Sequence, residues 1–213
     1  MVQRGRRKLA RFHSYNFRLT DFLIGVTQSE ILGKNEMKAT KVQNCLSLYG
    51  GTSATRAESI ATALRTQGLL PKGGRGLSAP MLTSREIALF ALAVAGAETV
   101  ADAAALAVDL AALVDHGGVS LIDAMEPLVE DQQAAREITA ILVLAQSTMV
   151  RFDRRDGSYS YFSKPSAWSD DGFVANAQGQ GFAGRIGWIG GAVLQQIAIE
   201  NSPVDDDEGE LVG

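Results

Sequence analysis

Thr55, Ser59, Thr62 and Thr66 recur at helical spacing, with Arg56 and Arg65 at the margins of the row. Hydroxyl and guanidinium groups hydrogen-bond to phosphates and base edges, so the row offers recognition chemistry. Groups suited to bond-breaking are sparse. The chain has 2 histidines, His13 and His116, far apart in sequence, and 1 cysteine, Cys45. No triad and no Cys/His metal cluster is visible among them. Asp153 with Asp156, and Asp170 with Asp171, are carboxylate pairs. Both fall in turn-like stretches beside Arg154-Arg155 or Gly172, where solvated turns are the expectation. Gly179-Gln-Gly-Phe-Ala-Gly184 has the spacing of a dinucleotide turn. A polar loop precedes it, and the stretch from Arg185 to Gly191 is too rich in glycine for the helix that such a turn must open. In Leu70–Gly76 the lysine precedes the glycines, unlike a phosphate-binding P-loop. No enzymatic activity, cofactor or metal is expected.

Charge points to the kind of partner. Residues 1–80 hold 13 Lys and Arg against 4 Asp and Glu, 13 − 4 = +9; residues 81–213 hold 7 against 20, 7 − 20 = −13. The net charge of −4 hides this opposition. A basic segment suits a polyanion, and double-stranded DNA is the expected partner. At 213 residues, with 46% hydrophobic and 21% charged side chains, the chain has the composition of a globular protein with a real core. The single cysteine fits a reducing cytoplasm. The longest apolar run, Ile87 to Ala97, is too short for a membrane span, and no signal-type apolar stretch follows basic Met1–Arg11. A cytoplasmic protein without membrane contact is expected.

The elements that must carry the hydroxyl row follow from periodicity and stop signals. Residues 1–16 read as a basic flexible arm, with Arg4, Arg6, Arg7 and Lys8 clustered. Apolar spacing predicts helices over Phe17–Leu32 and Glu36–Tyr49, the second ended by Gly50-Gly51. Thr55-Arg-Ala-Glu58 reads as a capping box opening a helix that buries Ala57, Ile60, Ala61 and Leu64 and stops at Gly68. Thr83-Ser-Arg-Glu86 is a second capping box, opening an apolar helix to about Ala95. Further helices are expected over Glu98–Val114, ended at His116-Gly117-Gly118, and over Ser120–Glu130. Their alanine content suggests close helix packing or a subunit contact. Glu137–Leu144 fits helix or strand. Met149–Phe152 and Ser158–Phe162 flank an Asp-Gly turn and predict a β-hairpin. Ser163–Gly184 reads as a polar loop, Arg185–Trp188 as a strand and Gly191–Ile199 as a short helix. Phe152, Tyr159, Tyr161, Phe162 and Trp168 are expected in core or interface packing.

Residues 17–95, through Thr55–Gly68 and the basic excursion Pro71-Lys-Gly-Gly-Arg-Gly76, resemble a winged helix-turn-helix DNA-binding domain. The resemblance implies that Thr55–Thr66 enters the major groove and that Lys72–Gly76 is the tip of the wing on the neighbouring backbone. Pro71 and Pro80 bracket that loop and its β-formers are few, which argues against two full wing strands. The expected DNA contacts are Arg4, Arg6, Arg7, Lys8, Lys41, Thr55, Arg56, Ser59, Thr62, Arg65, Thr66, Lys72 and Arg75.

The fold class expected is α+β, divided into a basic arm (1–16), a winged helix-turn-helix-like domain (17–96), a helical and β-hairpin domain for oligomer or partner contacts (97–200), and an acidic tail (201–213). The function expected is non-enzymatic DNA binding by a homo-oligomeric, sequence-specific transcriptional regulator, with a phage or prophage setting. The alternatives are a protein similar to phage small terminase subunits and an adaptor whose basic half binds an acidic protein. The acidic C-terminal half is a possible docking surface for a protein partner.

Overall fold

The computed structural model describes residues 37–73, 78–144, 148–165, 168–169, 172–173 and 186–202. The expected arm, the helix over Phe17–Leu32, the wing tip beyond Gly73 with Arg75, the Asp170-Asp171 pair, the Gly179–Gly184 pattern and the acidic run Asp205–Glu208 lie outside the described residues. The fold is α+β. Its described elements run α1 (Ala39–Tyr49), α2 (Ala54–Thr66), α3 (Ser84–Gly96), α4 (Ala103–Ala111), α5 (Leu121–Glu130), α6 (Gln132–Glu137), β1 (Ile138–Leu144), β2 (Met149–Arg154), β3 (Tyr159–Phe162), β4 (Trp168–Ser169), β5 (Gly172–Phe173), β6 (Gly187–Gly190) and α7 (Gly191–Asn201).

Helix α3 is the centre. Ile87, Ala88, Phe90, Ala91, Leu92, Ala93, Val94 and Gly96 are all buried, so the helix is enclosed on every side, as its unbroken apolar sequence requires. Its start is the capping box foreseen in Thr83-Ser-Arg-Glu86: the Glu86 backbone N–H donates to Thr83 Oγ1 at 3.3 Å, and the Thr83 backbone N–H to Glu86 Oε2 at 2.7 Å. Helices α1, α2, α4 and α5 pack around it, and its carboxyl end meets β1 and β6. The core is continuous across the boundary expected at residues 96 and 97, from Val42 and Ile60 through Phe90 to Ile141 and Ile197.

Strands β3-β2-β1-β6 form an antiparallel sheet in that order. Period-2 alternation gives it two faces. Phe162, Val150, Val143 and Gly187 lie in one inward row, and Phe152, Ile141 and Ile189 in the next. The β2–β3 hairpin turns at Gly157, whose φ of +85° is the left-handed conformation anticipated for its Asp-Gly pair. Glu137–Leu144 resolves as the end of α6 followed by a strand, the β-branched run pairing on both edges.

Several boundaries differ from expectation. Helix α2 is capped by Ser53, whose hydroxyl accepts from the Arg56 N–H at 3.2 Å. Thr55 therefore lies inside the first turn and caps nothing. The helix expected from Glu98 begins at Ala103, because Thr99 Oγ1 and the Asp102 carboxylate close a local turn at 2.6 Å. It ends at Ala111, since Val114 is drawn into bridges with Ser120 and Ser163. Within the expected loop Ser163–Gly184, β4 and β5 pair. Among the described residues, no helix is long and apolar enough to cross a membrane.

Two predictions follow from the core. A Cβ at Gly187 would collide with the Ala95 carbonyl oxygen, so Gly187→Ala is expected to lower unfolding free energy by about 1–3 kcal/mol or more in urea denaturation. At Gly117 the nearest heavy atom is 3.4 Å away, and Gly117→Ala is the near-neutral control. Burial, reinforced by the Glu200 charge, pushes the Cys45 thiol up from its ordinary 9.0 to about 11. The folded state thus holds its proton more tightly than the unfolded chain. This contribution to stability is complete below pH 9 and lost as pH rises towards 11, which thermal unfolding across that window will register.

Candidate nucleic-acid interface

Helices α1 and α2 are joined by four residues, Gly50-Gly51-Thr52-Ser53, with Gly51 at φ +67°. This is the connection length of a helix-turn-helix. Helix α2 buries Ala57, Ile60, Ala61 and Leu64 and turns its other side outward. Its end is a Schellman stop: Leu69 N–H donates to the Leu64 carbonyl at 2.9 Å and Gly68 N–H to the Arg65 carbonyl at 3.2 Å, with Gly68 at φ +76°.

The outward side carries the hydroxyl row. Thr55, Thr62 and Thr66 are exposed, and Ser59 and Arg65 are half-buried. Ser59 Oγ donates to the Thr55 carbonyl at 2.8 Å and Thr66 Oγ1 to the Thr62 carbonyl at 2.9 Å. With their protons committed to the helix, these two oxygens face outward as acceptors, which suits base amino groups and not phosphates. Arg65 sits in the last turn, where a cation also complements the helix dipole. Lys72 is exposed just beyond.

Two expected contacts are engaged elsewhere. The Arg56 guanidinium donates to the carbonyl oxygens of Ala97 and, at 3.4 Å, Glu98. It fastens α2 to the backbone just past the carboxyl end of α3. Lys41, on α1, pairs with Glu200 of α7 at 3.1 Å. Arg4, Arg6, Arg7, Lys8 and Arg75 lie outside the described residues. One member of the outward row went unforeseen as a surface group. Glu58, assigned by its sequence context to a cap, is exposed three residues after Thr55 and four before Thr62. Its spacing alone would have placed it there.

Beside the amino end of α2 lies a cleft of about 300 Å³, bordered by Leu46, Gly51, Ser53, Arg56, Ala95 and Trp188. Its walls mix polar groups (Thr52, Ser53, Arg56) with apolar ones, and they gather no catalytic set. Among the described residues, no group of three or more His, Cys, Asp and Glu side chains could hold a metal. Asp153 is paired with Arg151 at 2.8 Å. Asp156 accepts from the Ser158 backbone N–H at 2.8 Å, and hydrogen bonding from Ser158 holds its carboxyl below the ordinary value. Both are turn or strand carboxylates, as their sequence context implies.

The clamp assignment is testable. Arg56→Ala is expected to cost about 1–3 kcal/mol of stability, because its charged hydrogen bonds to the Ala97 and Glu98 carbonyls are lost, and to lower the thermal midpoint. Thr62→Ala, on the exposed side, should leave that midpoint within about 0.5 kcal/mol equivalent. Comparison with protein-family models, curated proteins and solved structures gives no match to this chain, so its functional reading rests on this geometry and charge.

Proposed function

We propose that the protein is a non-enzymatic, double-stranded DNA-binding protein in which α2 is the reading helix, acting as a sequence-specific transcriptional regulator. The observation that carries this reading is the outward hydroxyl row of α2, set behind a four-residue glycine turn and followed by Arg65 and Lys72. A major groove about 12 Å wide admits one helix, and small hydroxyl side chains let its backbone approach closely. Glu58 adds an acceptor for cytosine N4 within the same row. The charge of residues 1–80 (13 − 4 = +9) supplies the sequence-independent attraction, through counterion release at each phosphate met. In this reading Arg65, Thr62, Thr66 and Lys72 contact DNA, the N-terminal basic cluster grips the backbone, and Arg56 holds the reading helix in place.

The test is fluorescence polarisation of the full chain with duplex DNA over a range of salt. Wild-type affinity should fall steeply as salt rises. Arg65→Ala is expected to cost about 1–3 kcal/mol of affinity if the guanidinium reads a base, and removal of residues 1–11 should weaken binding to all duplexes and flatten the salt slope. Unchanged binding in both variants would overturn the proposal. A dimer on a palindromic site supports the regulator, whereas a ring-shaped higher oligomer points to a role similar to that of phage small terminase subunits.

A further inference from the structure

The outward face of the four-stranded sheet has an order that the DNA-reading proposal does not use. Strand register sets Tyr161, Arg151, Leu142 and Trp188 in one row across β3, β2, β1 and β6. Tyr159 stands in the adjacent row, opposite Asp153. Tyr159 is 61% exposed and Trp188 54%, values far from those of the buried Phe152 and Phe162 on the other face. The aromatics of this hairpin are thus divided by the pleat, two into the core and two outward.

The outward groups are held in place. Arg151 Nη2 donates to Asp153 Oδ2 at 2.9 Å within an ion pair, and Tyr161 stands opposite Arg151 in strand register. Its guanidinium carbon lies 5.9 Å from the centroid of the Tyr159 ring, which meets Tyr161 edge-on at 5.3 Å. At the far edge the Trp188 indole lies back along its strand over Gly190, where a Cβ would stand 2.7 Å from Cζ3 of the ring. Gly190 is paired with Ala140, so the sheet is low on that side. The row spans about 14 Å, three strand spacings.

Charge adds a second indication. Of the 7 Lys and Arg in residues 81–213, four (Arg151, Arg154, Arg155 and Lys164) fall within positions 151–164, against the two acids Asp153 and Asp156. This hairpin is a basic island, 4 − 2 = +2, within a segment of net −13.

We infer that this sheet face is a stacking platform for single-stranded nucleic acid, with bases laid on Tyr159 and Trp188 and phosphates drawn to the cationic hairpin. Exposed aromatic rings accept any base through its π-face, and a four-stranded antiparallel sheet spaces such rings for successive nucleotides. Arg151, paired with Asp153, extends the surface between the two edges. The site uses none of the outward residues of α2, although Trp188 also borders the cleft at that helix's amino end.

The test uses the full chain with fluorescein-labelled oligo(dT) and oligo(rU) of about 15 nucleotides, the two arms separating DNA from RNA. Tyr159→Ala and Trp188→Ala should each weaken binding about tenfold, while Trp188→Phe stays within about twofold because a ring remains. On a Trp168→Phe background, Trp188 is the sole indole and its emission should be quenched by the oligonucleotide. Both positions are exposed, and unchanged thermal midpoints will show that the variants fold. The two alanine variants should leave duplex affinity unaltered, and Arg65→Ala should leave the Trp188 quench unaltered, so the two proposals fail separately. Equal single-strand affinity in wild type and both alanine variants would overturn the inference. So would an absence of quenching together with an oligomer that Trp188→Ala disperses, which would make this face a contact between copies.

Discussion

The packing of one apolar helix against a glycine orders the rest of this molecule. Helix α3 is buried around its whole circumference, and its carboxyl end presses on β6 at Gly187, where the Ala95 carbonyl leaves no space for a side chain. That contact brings the helical layer onto the inner face of the sheet. The Ala97 and Glu98 carbonyls, just past the same helix, receive Arg56, so α2 is tied to the same end of α3. The placement of the hydroxyl row and that of the sheet's edge strand β6 thereby meet at one end of α3. Helix–helix packing at native density transmits such constraints because interiors have little slack.

The two electrical halves of the chain do not correspond to two interiors. Apolar pattern decides what is buried, and that pattern runs from α1 to α7 without interruption. Charge decides what the surface attracts, and it changes sign at about residue 80. Lys41 and Glu200 illustrate the difference: one residue from each half, paired at 3.1 Å across packed helices. As an exposed pair it contributes little to stability, yet it shows that basic and acidic segments share one surface.

Much of the architecture was legible because local signals and tertiary packing agree. The Thr83–Glu86 box, the Gly68 stop and the Asp156-Gly157 turn each require a specific backbone geometry that their residues favour. Ser120 likewise caps α5 where a helix start was expected, and hydrogen bonding from its hydroxyl, with Arg85 nearby, lowers the Asp123 carboxyl. At the start of α2 the expected Thr55–Glu58 box does not form, and the Ser53 hydroxyl, two residues earlier, accepts from the Arg56 N–H instead. The late start of α4 has the same origin, since Thr99 and Asp102 find each other before the helix can. In the candidate interface the hydroxyl row followed from periodicity alone. The engagement of Arg56 did not, because its acceptors lie more than forty residues away and depend on how α2 meets α3. The outward row from Tyr161 to Trp188 was hidden for a similar reason. It exists only in strand register, and β6 joins β1 from the far side of a long intervening stretch.

Thr55, Glu58, Thr62 and Thr66 contribute nothing to the interior, and the backbone beneath them is secured by Ser53, Arg56 and Gly68. Scaffold and lettering are therefore separable in this helix. Exchanges along the outer edge are expected to cost the fold little, so in the proposed reading a change of target could accumulate one residue at a time while the frame keeps its shape.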